Sequence, residues 1–267
     1  MDAKSDPVLL ESLDRGLLTL TLNRPERRNA LNPELGLRLV EAATRAAADP
    51  DVRAVLLRGA GGTFCVGGDV KAMASGAGRE ETPDRRFELL RHRVEVSRLL
   101  HDMRKPTLAM ISGSAAGAGL SLALACDLRI AGKSAKLTTA FAKVGLSGDY
   151  GGTYFLTRLV GSAKARELYL TSPILMADEA LALGLVTRVV PDAELEAAAQ
   201  ELAMSLAQGP SIALGYIKQN INTAERSTIE AVLDTEAMNH VRCAQTEDHR
   251  EAAKAFVEKR KAAFKGR

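Results

Sequence analysis

Two glycine-rich stretches about fifty residues apart could do chemistry with their backbone rather than with their side chains. They cover residues 64–71 (FCVGGDVK) and 112–121 (SGSAAGAGLS). Small side chains let a ligand approach backbone amides, and each stretch leads from an apolar run into a helix-like segment, where N–H groups favour negative charge. Two such N–H groups that meet on one oxygen atom form an oxyanion hole. The spacing therefore predicts a site that stabilises a developing oxyanion.

Six segments, in this order along almost the whole chain, resemble those of one family, the crotonase (enoyl-CoA hydratase/isomerase) superfamily. They are residues 22–32 (LNRPERRNALN), 64–71, 105–113 (KPTLAMISG), 145–153 (GLSGDYGGT), 180–186 (ALALGLV) and 255–260 (AFVEKR). The resemblance implies an α/β fold, a crotonase-like spiral of ββα turns. It assigns residues 1–192 to the spiral core with the acyl-CoA site, and residues 193–267 to a C-terminal helical region used for oligomerisation.

The resemblance also implies a substrate and the residues that hold it. The substrate is an acyl-CoA thioester whose carbonyl becomes an enolate, stabilised by the backbone N–H groups of Gly68 and Ala118, and no cofactor is expected beyond the coenzyme A of the substrate. The residues expected to bind substrate or coenzyme A are Arg28, Asn29, Ala30, Val66, Gly68, Asp69, Val70, Lys71, Ala118, Phe256 and Lys259. In the family, the residues matched by Phe256 and Lys259 reach coenzyme A from an adjacent subunit.

Plainer interpretations of the same residues stay open at this point. The glycines could simply serve tight turns, and Lys71 could be a solvated side chain on a first helical turn. Phe256 and Lys259 could belong to an ordinary amphipathic helix. The segment from Ala72 to Gly78 is small-residue-rich and is predicted to be mobile and near the acyl pocket.

The acid–base residues depart from the hydratase pattern. Classical members place two glutamates at positions that fall, without gaps, on Ser121 and Phe141, so both carboxylates are absent. Asp149 follows a little later, and some isomerase-like relatives have an aspartate at this motif position as their acid–base residue. A lone aspartate before Gly151 and Gly152 could instead cap a helix. Ser121, Phe141 and Tyr150 are further candidates for the pocket.

One carboxylate suits a 1,3-proton shift, because the same group can remove a proton from one carbon and return it two carbons away. A double-bond isomerase that uses Asp149 is therefore the leading hypothesis. A hydratase in which Ser121 or Tyr150 helps to position water is the second, and a non-catalytic acyl-CoA binder is the third. A useful pKa for Asp149 would require burial against neighbours such as Phe141, Tyr150 or Phe155.

Composition bounds the class of protein that must position these groups. The chain has 267 residues, 46% of them hydrophobic and 26% charged, with a net charge of +3 and 4% aromatic residues. These values favour a folded chain and argue against nucleic-acid binding. The sequence contains neither a membrane-length apolar run nor a signal-peptide pattern, which predicts a cytoplasmic protein without a membrane partner. Three cysteines far apart, without zinc spacing, predict reduced thiols and no metal site.

The elements follow from periodicity. Strands are predicted at 8–13, 17–22, 52–57 and 108–111, with helices at 33–48, where Asn32 is the cap and Pro33 the first-turn residue, and at 83–101. This alternation predicts parallel strands with helical crossovers. From residue 193 the pattern is helical, and three helices with caps near Ser211, Ser227 and residues 247–248 end the chain. The resemblance implies a homotrimer or a dimer of trimers.

Overall fold

The computed structural model describes residues 6–76 and 81–267. Its strands are β1 (Leu9–Asp14), β2 (Leu17–Leu22), β3 (Ala54–Gly59), β4 (Thr107–Ile111), β5 (Ser114–Ala116), β6 (Leu128–Gly132), β7 (Lys136–Thr138), β8 (Leu175–Met176) and β9 (Arg188–Val190). Its helices are α1 (Pro33–Ala48), α2 (Val70–Ala74), α3 (Pro83–Asp102), α4 (Ala118–Leu124), α5 (Gly152–Thr171), α6 (Ala177–Ala182), α7 (Leu195–Ala207), α8 (Ser211–Ala224), α9 (Ile229–Ala244) and α10 (Glu247–Val257).

Within these residues the strands form two sheets. The larger sheet has the order β1-β2-β3-β4-β6-β9, and only its β1–β2 pair is antiparallel. The smaller sheet has the order β5-β7-β8, with β5 and β7 parallel. Because parallel strands need crossovers, helices connect most of them and cover the sheet, and β4 is buried along its whole length. The predicted alternation of parallel strands and helical crossovers is confirmed.

Helix α1 has the bounds that its sequence predicts. The Asn32 side chain accepts a hydrogen bond from the Leu35 N–H at 2.9 Å, and Pro33 occupies the first turn. Both signals are local, since a cap satisfies a free N–H group and proline lacks the N–H that would otherwise need a partner. The helix at 83–101 is also confirmed and extends one residue further, to Asp102.

Strand β3 starts two residues later than its apolar pattern predicts. The Val52 side chain is buried, but its N–H donates to the Asp49 carbonyl at 3.3 Å in the turn that follows α1. Pairing with β2 begins only at Ala54. A residue can therefore be buried in a turn and still look like the first residue of a strand.

Helix α7 covers one face of the larger sheet, although it lies after residue 193. Its buried residues repeat every four positions and pack against side chains from β2, β3, β4 and β6: Leu195, Ala199, Ala203 and Ala207 against Leu17, Leu56, Leu108 and Ile130. The division of the chain at 192/193 remains a prediction. What the contacts establish is that the core of the sheet uses this first helix of the C-terminal segment.

Helix α5 is broken in the middle by Gly161. This residue has φ 75° and ψ 162°, a conformation that is essentially restricted to glycine. Tyr169 lies 17 residues after Gly152, which in a straight helix would separate the two by about 25 Å. The break instead lets the Tyr169 side chain return to Gly152, where a Cβ atom would sit 2.4 Å from the Tyr169 hydroxyl oxygen.

The three last helices, α8, α9 and α10, match the predicted number and begin within two residues of the predicted caps. Lys218 fastens α8 to the core, because its buried Nζ lies 2.8 Å from Asp127 Oδ2 and donates to the Leu100 carbonyl at 2.7 Å. In the described part of the chain, no helix has the length and apolarity that crossing a membrane requires.

Candidate active site

The two glycine-rich stretches lie against each other. The Cys65 N–H donates to the Ser114 carbonyl at 3.0 Å, and the Ala116 N–H donates to the Cys65 carbonyl at 3.0 Å. The contact requires glycine at two points. A Cβ atom on Gly119 would sit 2.3 Å from the Cys65 carbonyl oxygen, and one on Gly67, whose φ is 91°, would sit 2.7 Å from the Ala116 carbonyl oxygen. The stretches that the sequence separates by about fifty residues are therefore adjacent.

The Gly68 and Ala118 amides are available for a ligand. Leu31 pairs with the first stretch through the Gly67 carbonyl and the Asp69 N–H, which leaves out the Gly68 N–H. Ala118 is the first residue of α4, and its N–H has no intrahelical acceptor. Within residues 6–76 and 81–267 neither N–H has a protein acceptor. A Cβ atom on Gly67 would sit 3.3 Å from the Ala118 nitrogen, so the Gly68 and Ala118 N–H groups belong to one site.

Asp149 is a mostly buried carboxyl beside this site. Its Oδ1 atom is buried and has no hydrogen-bond partner in the described part of the protein. Burial raises the pKa of Asp149 from 3.8 to about 6, and the positive charge of Arg93 opposes that rise. The side chain does not cap α5, because the cap residue is Gly151 and no side chain bonds there. Helix capping therefore does not account for this aspartate.

The groups around Asp149 are protonated near neutral pH. Burial is the main cause in each case: it raises the pKa of the Cys65 thiol and of the Tyr169 phenol to about 12, and it raises the pKa of Tyr150. The Asp149 charge adds to all three shifts. In this cluster Asp149 is therefore the group that can take up and release a proton near neutral pH.

The predicted pocket residues Ser121, Phe141 and Tyr150 are all buried, at 2%, 6% and 4% exposure. Ser121 and Phe141 both surround Tyr169, whose ring stacks on Phe141 with centroids 6.0 Å apart and planes 3° apart. Phe155, which the sequence suggested as a neighbour of Asp149, lies beside Gly151, where a Cβ atom would sit 3.0 Å from Phe155 Cε2, and its ring packs on His101 with ring centroids 5.3 Å apart. That contact belongs to a separate cleft of about 320 Å³ under α8.

Of the three binding residues expected from the first motif, one is exposed and two are buried. Arg28 is exposed, has φ 51°, and donates from Nη2 to Ser114 Oγ at 3.3 Å, beside the glycine-rich stretches. Asn29 is fully buried, and its Nδ2 donates to the Ala60 and Thr63 carbonyls at 2.8 and 2.6 Å. Ala30 is buried too. The Asn29 side chain holds the loop together, so that of these three residues Arg28 is the one whose side chain a ligand can reach.

The end of the first glycine-rich stretch is fixed by Asp69. Its carboxylate caps α2 through the Ala72 N–H at 3.1 Å and pairs with Arg24 at 3.1 Å. The Ala72 hydrogen bond is the largest cause that lowers the pKa of Asp69. Through these two contacts Asp69 fixes the backbone that directly follows Gly68. Lys71 is exposed, as is Val70 at 50%, and Val66 is half-buried.

The small-residue segment after Asp69 is described only in part. Residues 72–76 include the end of α2, where the Met73 methyl lies 2.7 Å from the Cβ position of Gly68. Met73 therefore borders one of the two open amides. Ala77 and Gly78 lie outside the described residues.

Phe256 and Lys259 are placed at the C-terminal end of α10. The Phe256 ring is 86% exposed, and Lys259 has a positive φ of 53° just after the helix. Helix α10 contacts α9. In the described chain neither residue hydrogen-bonds to the glycine-rich stretches, so the single chain does not join them to the site.

Three residues of the site escaped the sequence analysis: Arg93, Cys65 as a neighbour of Asp149, and Tyr169. Arg93 acts from α3, where its stem packs against α1 at Gly36, so its position depends on helix packing. Cys65 stood inside a recognised stretch, and its electrostatic interaction with Asp149 depends on the tertiary fold. Tyr169 could have been suspected only from Gly161, the glycine that breaks α5.

Comparison with known proteins agrees with this geometry. Residues 12–267 match the family described as Enoyl-CoA hydratase/isomerase. A 1,2-epoxyphenylacetyl-CoA isomerase of Escherichia coli is 40% identical over 97% of this chain and 98% of its own, and a short-chain-enoyl-CoA hydratase of Clostridium acetobutylicum is 35% identical over 95% of both chains. The crystal structure of an enoyl-CoA hydratase from Polaromonas superposes with a TM-score of 0.90 at 33% identity, covering 96% of this chain and 99% of that one. The chain belongs to the enoyl-CoA hydratase/isomerase family, within the crotonase superfamily that its motifs resemble.

Proposed function

We propose that this protein is an enoyl-CoA isomerase that shifts a carbon–carbon double bond of an acyl-CoA thioester, with Asp149 as its single acid and base. One observation carries the proposal: a mostly buried carboxyl, with a pKa of about 6 and an oxygen that has no partner among the described residues, acts on Cys65 in the stretch that carries one of the two open backbone amides. The 1,2-epoxyphenylacetyl-CoA isomerase of Escherichia coli, at 40% identity, supports an isomerisation of an acyl-CoA thioester.

In the proposed reaction the thioester oxygen accepts hydrogen bonds from the Gly68 and Ala118 N–H groups. The Asp149 carboxylate removes a proton from the carbon next to the thioester carbonyl, and the electrons of that C–H bond pass into a dienolate. The protonated Asp149 then returns the proton to the carbon two positions further along, and the double bond moves into conjugation. No atom is gained or lost. Each amide donor contributes roughly 2.7–4 kcal/mol to the transition state.

The site favours isomerisation over hydration because hydration needs a second group to activate water. The positions of the two hydratase glutamates hold Ser121 and Phe141, and neither side chain is a base at neutral pH. Hydration is the second candidate, supported by the hydratase of Clostridium acetobutylicum at 35% identity. In that case Tyr150 or Ser121 positions a water molecule that Asp149 deprotonates.

We further propose that coenzyme A is carried only as part of the substrate and that no other cofactor takes part. Arg28 is the side chain placed to meet coenzyme A, with Val66 and the segment from Gly68 to Lys71 beside the pantetheine arm. Phe256 and Lys259 contribute from a neighbouring subunit of a trimer or a dimer of trimers. The exposure of Phe256, at 86%, supports an interface there.

The test follows the absorbance of the conjugated thioester with a 3-enoyl-CoA and, separately, a 2-enoyl-CoA. We expect conjugation to appear from the 3-enoyl-CoA with the wild type and not with Asp149→Asn, whereas Asp51→Asn, a surface control, stays active. Both variants should bind the ligand by calorimetry. Loss of conjugation from the 2-enoyl-CoA, with labelled oxygen from water in the product, would show that the protein is a hydratase and not an isomerase. Binding without either reaction, and without deuterium exchange next to the carbonyl, would contradict both.

A further inference from the structure

Two hydroxyl groups meet inside the site in a space that only glycine can leave open. Ser121 lies one turn into α4, and Tyr169 comes back from the second half of α5. A Cβ atom on Gly152 would sit 2.2 Å from the Ser121 Oγ atom and 2.4 Å from the Tyr169 hydroxyl oxygen. The two hydroxyl oxygen atoms therefore face the same small space. Gly152, three residues after Asp149, therefore makes room for a hydroxyl pair.

Tyr169 is held in this position from two sides. Its ring stacks on the buried Phe141 with the two planes only 3° apart. The other edge of the ring packs against Gly148, where a Cβ atom would sit 3.2 Å from Tyr169 Cε1. A ring held between two neighbours loses little further freedom when its hydroxyl makes a hydrogen bond. The placement of this hydroxyl is therefore a fixed feature of the site.

Ser121, one member of the hydroxyl pair, hydrogen-bonds to a peptide group that belongs to the oxyanion site. Ser121 Oγ donates to the Gly117 carbonyl oxygen at 3.3 Å, and the Ser121 N–H donates to the same oxygen at 3.0 Å. Because the Ser121 proton is used there, a hydrogen bond between the two hydroxyl groups requires Tyr169 as its donor. The Gly117 carbonyl and the Ala118 N–H are the two ends of one peptide unit. A hydrogen bond accepted at the carbonyl polarises that unit and makes its N–H a stronger donor.

We propose that Ser121 and Tyr169 form a hydroxyl relay that polarises the Gly117–Ala118 peptide and so strengthens the Ala118 N–H as a donor to the thioester oxygen. The inference rests on the proposed role of Ala118 in the oxyanion hole. Both residues are positioning residues, since they act through the peptide and need no contact with the reacting carbons. A purely structural role would leave the polarisation of the bound thioester unchanged, because serine often bonds the carbonyl four residues earlier in a helix.

The relay is tested with Tyr169→Phe, Ser121→Ala and the double variant. Tyr169→Phe removes a single oxygen atom and keeps the ring stack, so it should fold. Tyr154→Phe is the matched control, because it removes a hydroxyl from the same helix but outside the site. The Tyr154 hydroxyl accepts a hydrogen bond from Arg226 Nε at 3.0 Å. We expect each relay variant to lower kcat roughly five- to tenfold with KM little changed. The double variant should lose little more than either single one, because the two hydroxyls act in series.

The decisive readout is the infrared carbonyl band of hexanoyl-CoA labelled with carbon-13 at the thioester carbon, after calorimetry has established that it binds. In the wild type and in Tyr154→Phe the band should move to lower wavenumber on binding, and in Tyr169→Phe and Ser121→Ala it should move less. An equal shift in all proteins would overturn the relay while leaving the oxyanion hole in place. No shift in the bound wild type would overturn the oxyanion assignment itself, and the relay with it.

Discussion

The Asp149 carboxyl combines two properties that a simple surface aspartate lacks. It is largely buried, and one of its oxygen atoms has no hydrogen-bond partner within the described chain. Burial of a charge without compensation costs stability, so the native protein holds the proton of this group more tightly than the unfolded chain does. Arg93 offsets only part of that effect. The proposed base is therefore expected to lower the stability of the folded protein when it is ionised.

Replacing Asp149 by Asn should stabilise the protein in a pH-dependent way. The pKa is about 6 in the folded protein and about 3.9 in an unfolded chain, so the folded state binds more protons between these values and wild-type stability falls as pH rises through that window. At pH 8 the variant should be more stable by about 3 kcal/mol in urea unfolding, because each unit of pKa difference is worth about 1.36 kcal/mol, and the difference should vanish below pH 4. The kcat/KM of the wild type should show an acid limb near pH 6. Equal stability at pH 8 would contradict the burial argument.

The sequence could suggest candidate chemical residues but not the side chains around them. Gly68, Ala118 and Asp149 stand in motifs, and a motif can be read without coordinates. The use of Asn29 as an internal anchor of its loop could not be read, because its partners Ala60 and Thr63 are more than thirty residues away. Tyr169 was missed for the same kind of reason. Contacts between distant segments depend on packing, which a local pattern does not encode.

At the scale of the elements, local signals were sufficient where the end of an element is itself local. Helix α1 has its cap, its first-turn proline and its apolar face within its own residues. Strand β3 began later than predicted because its start depends on the partner strand β2. The break in α5 was not predicted, since Gly161 inside a helical pattern is tolerated as often as it marks a kink.

Gly161→Ala should harm both stability and turnover. The native φ of 75° and ψ of 162° are strained for any residue with a Cβ atom, at a cost of roughly 1–3 kcal/mol. Relief of that strain by straightening α5 would carry Tyr169 away from Gly152. Gly184→Ala is the control, because Gly184 also has a positive φ, 73°, with open space around it. Both variants should lower the melting temperature, and only Gly161→Ala should also lower kcat. Full activity of Gly161→Ala would show that the break does not position the site.

At the scale of the whole molecule, the C-terminal helices leave much apolar surface uncovered. Helix α9 buries only Asn239 among its own residues. The exposed apolar side chains of α8, α9 and α10 are Ile217, Ile221, Ile229, Leu233, Met238, Val241, Phe256 and Val257. Such a surface is typical of a subunit interface. The sequence indicated amphipathic helices here, and the resemblance supplied the expectation that they meet other subunits.

Leu233→Asp should therefore dissociate the proposed trimer or hexamer. Leu233 is 56% exposed in the single chain, and a carboxylate at its place would be buried without a partner in an interface. Light scattering after size exclusion should give the mass of a single chain for the variant and a multiple of three for the wild type. Asp234→Asn, at the neighbouring exposed position, should keep the wild-type mass. A wild type that already runs as a monomer would refute the proposed assembly.

The tight approach around Gly152 also constrains how this enzyme could acquire another activity. The hydratase pattern has a glutamate where this chain has Ser121. The space beyond Ser121 Oγ is occupied by Gly152 and by the Tyr169 hydroxyl. A single Ser121→Glu exchange would drive its carboxylate into that contact. We therefore expect a glutamate at position 121 to be accommodated only if position 169 changes as well.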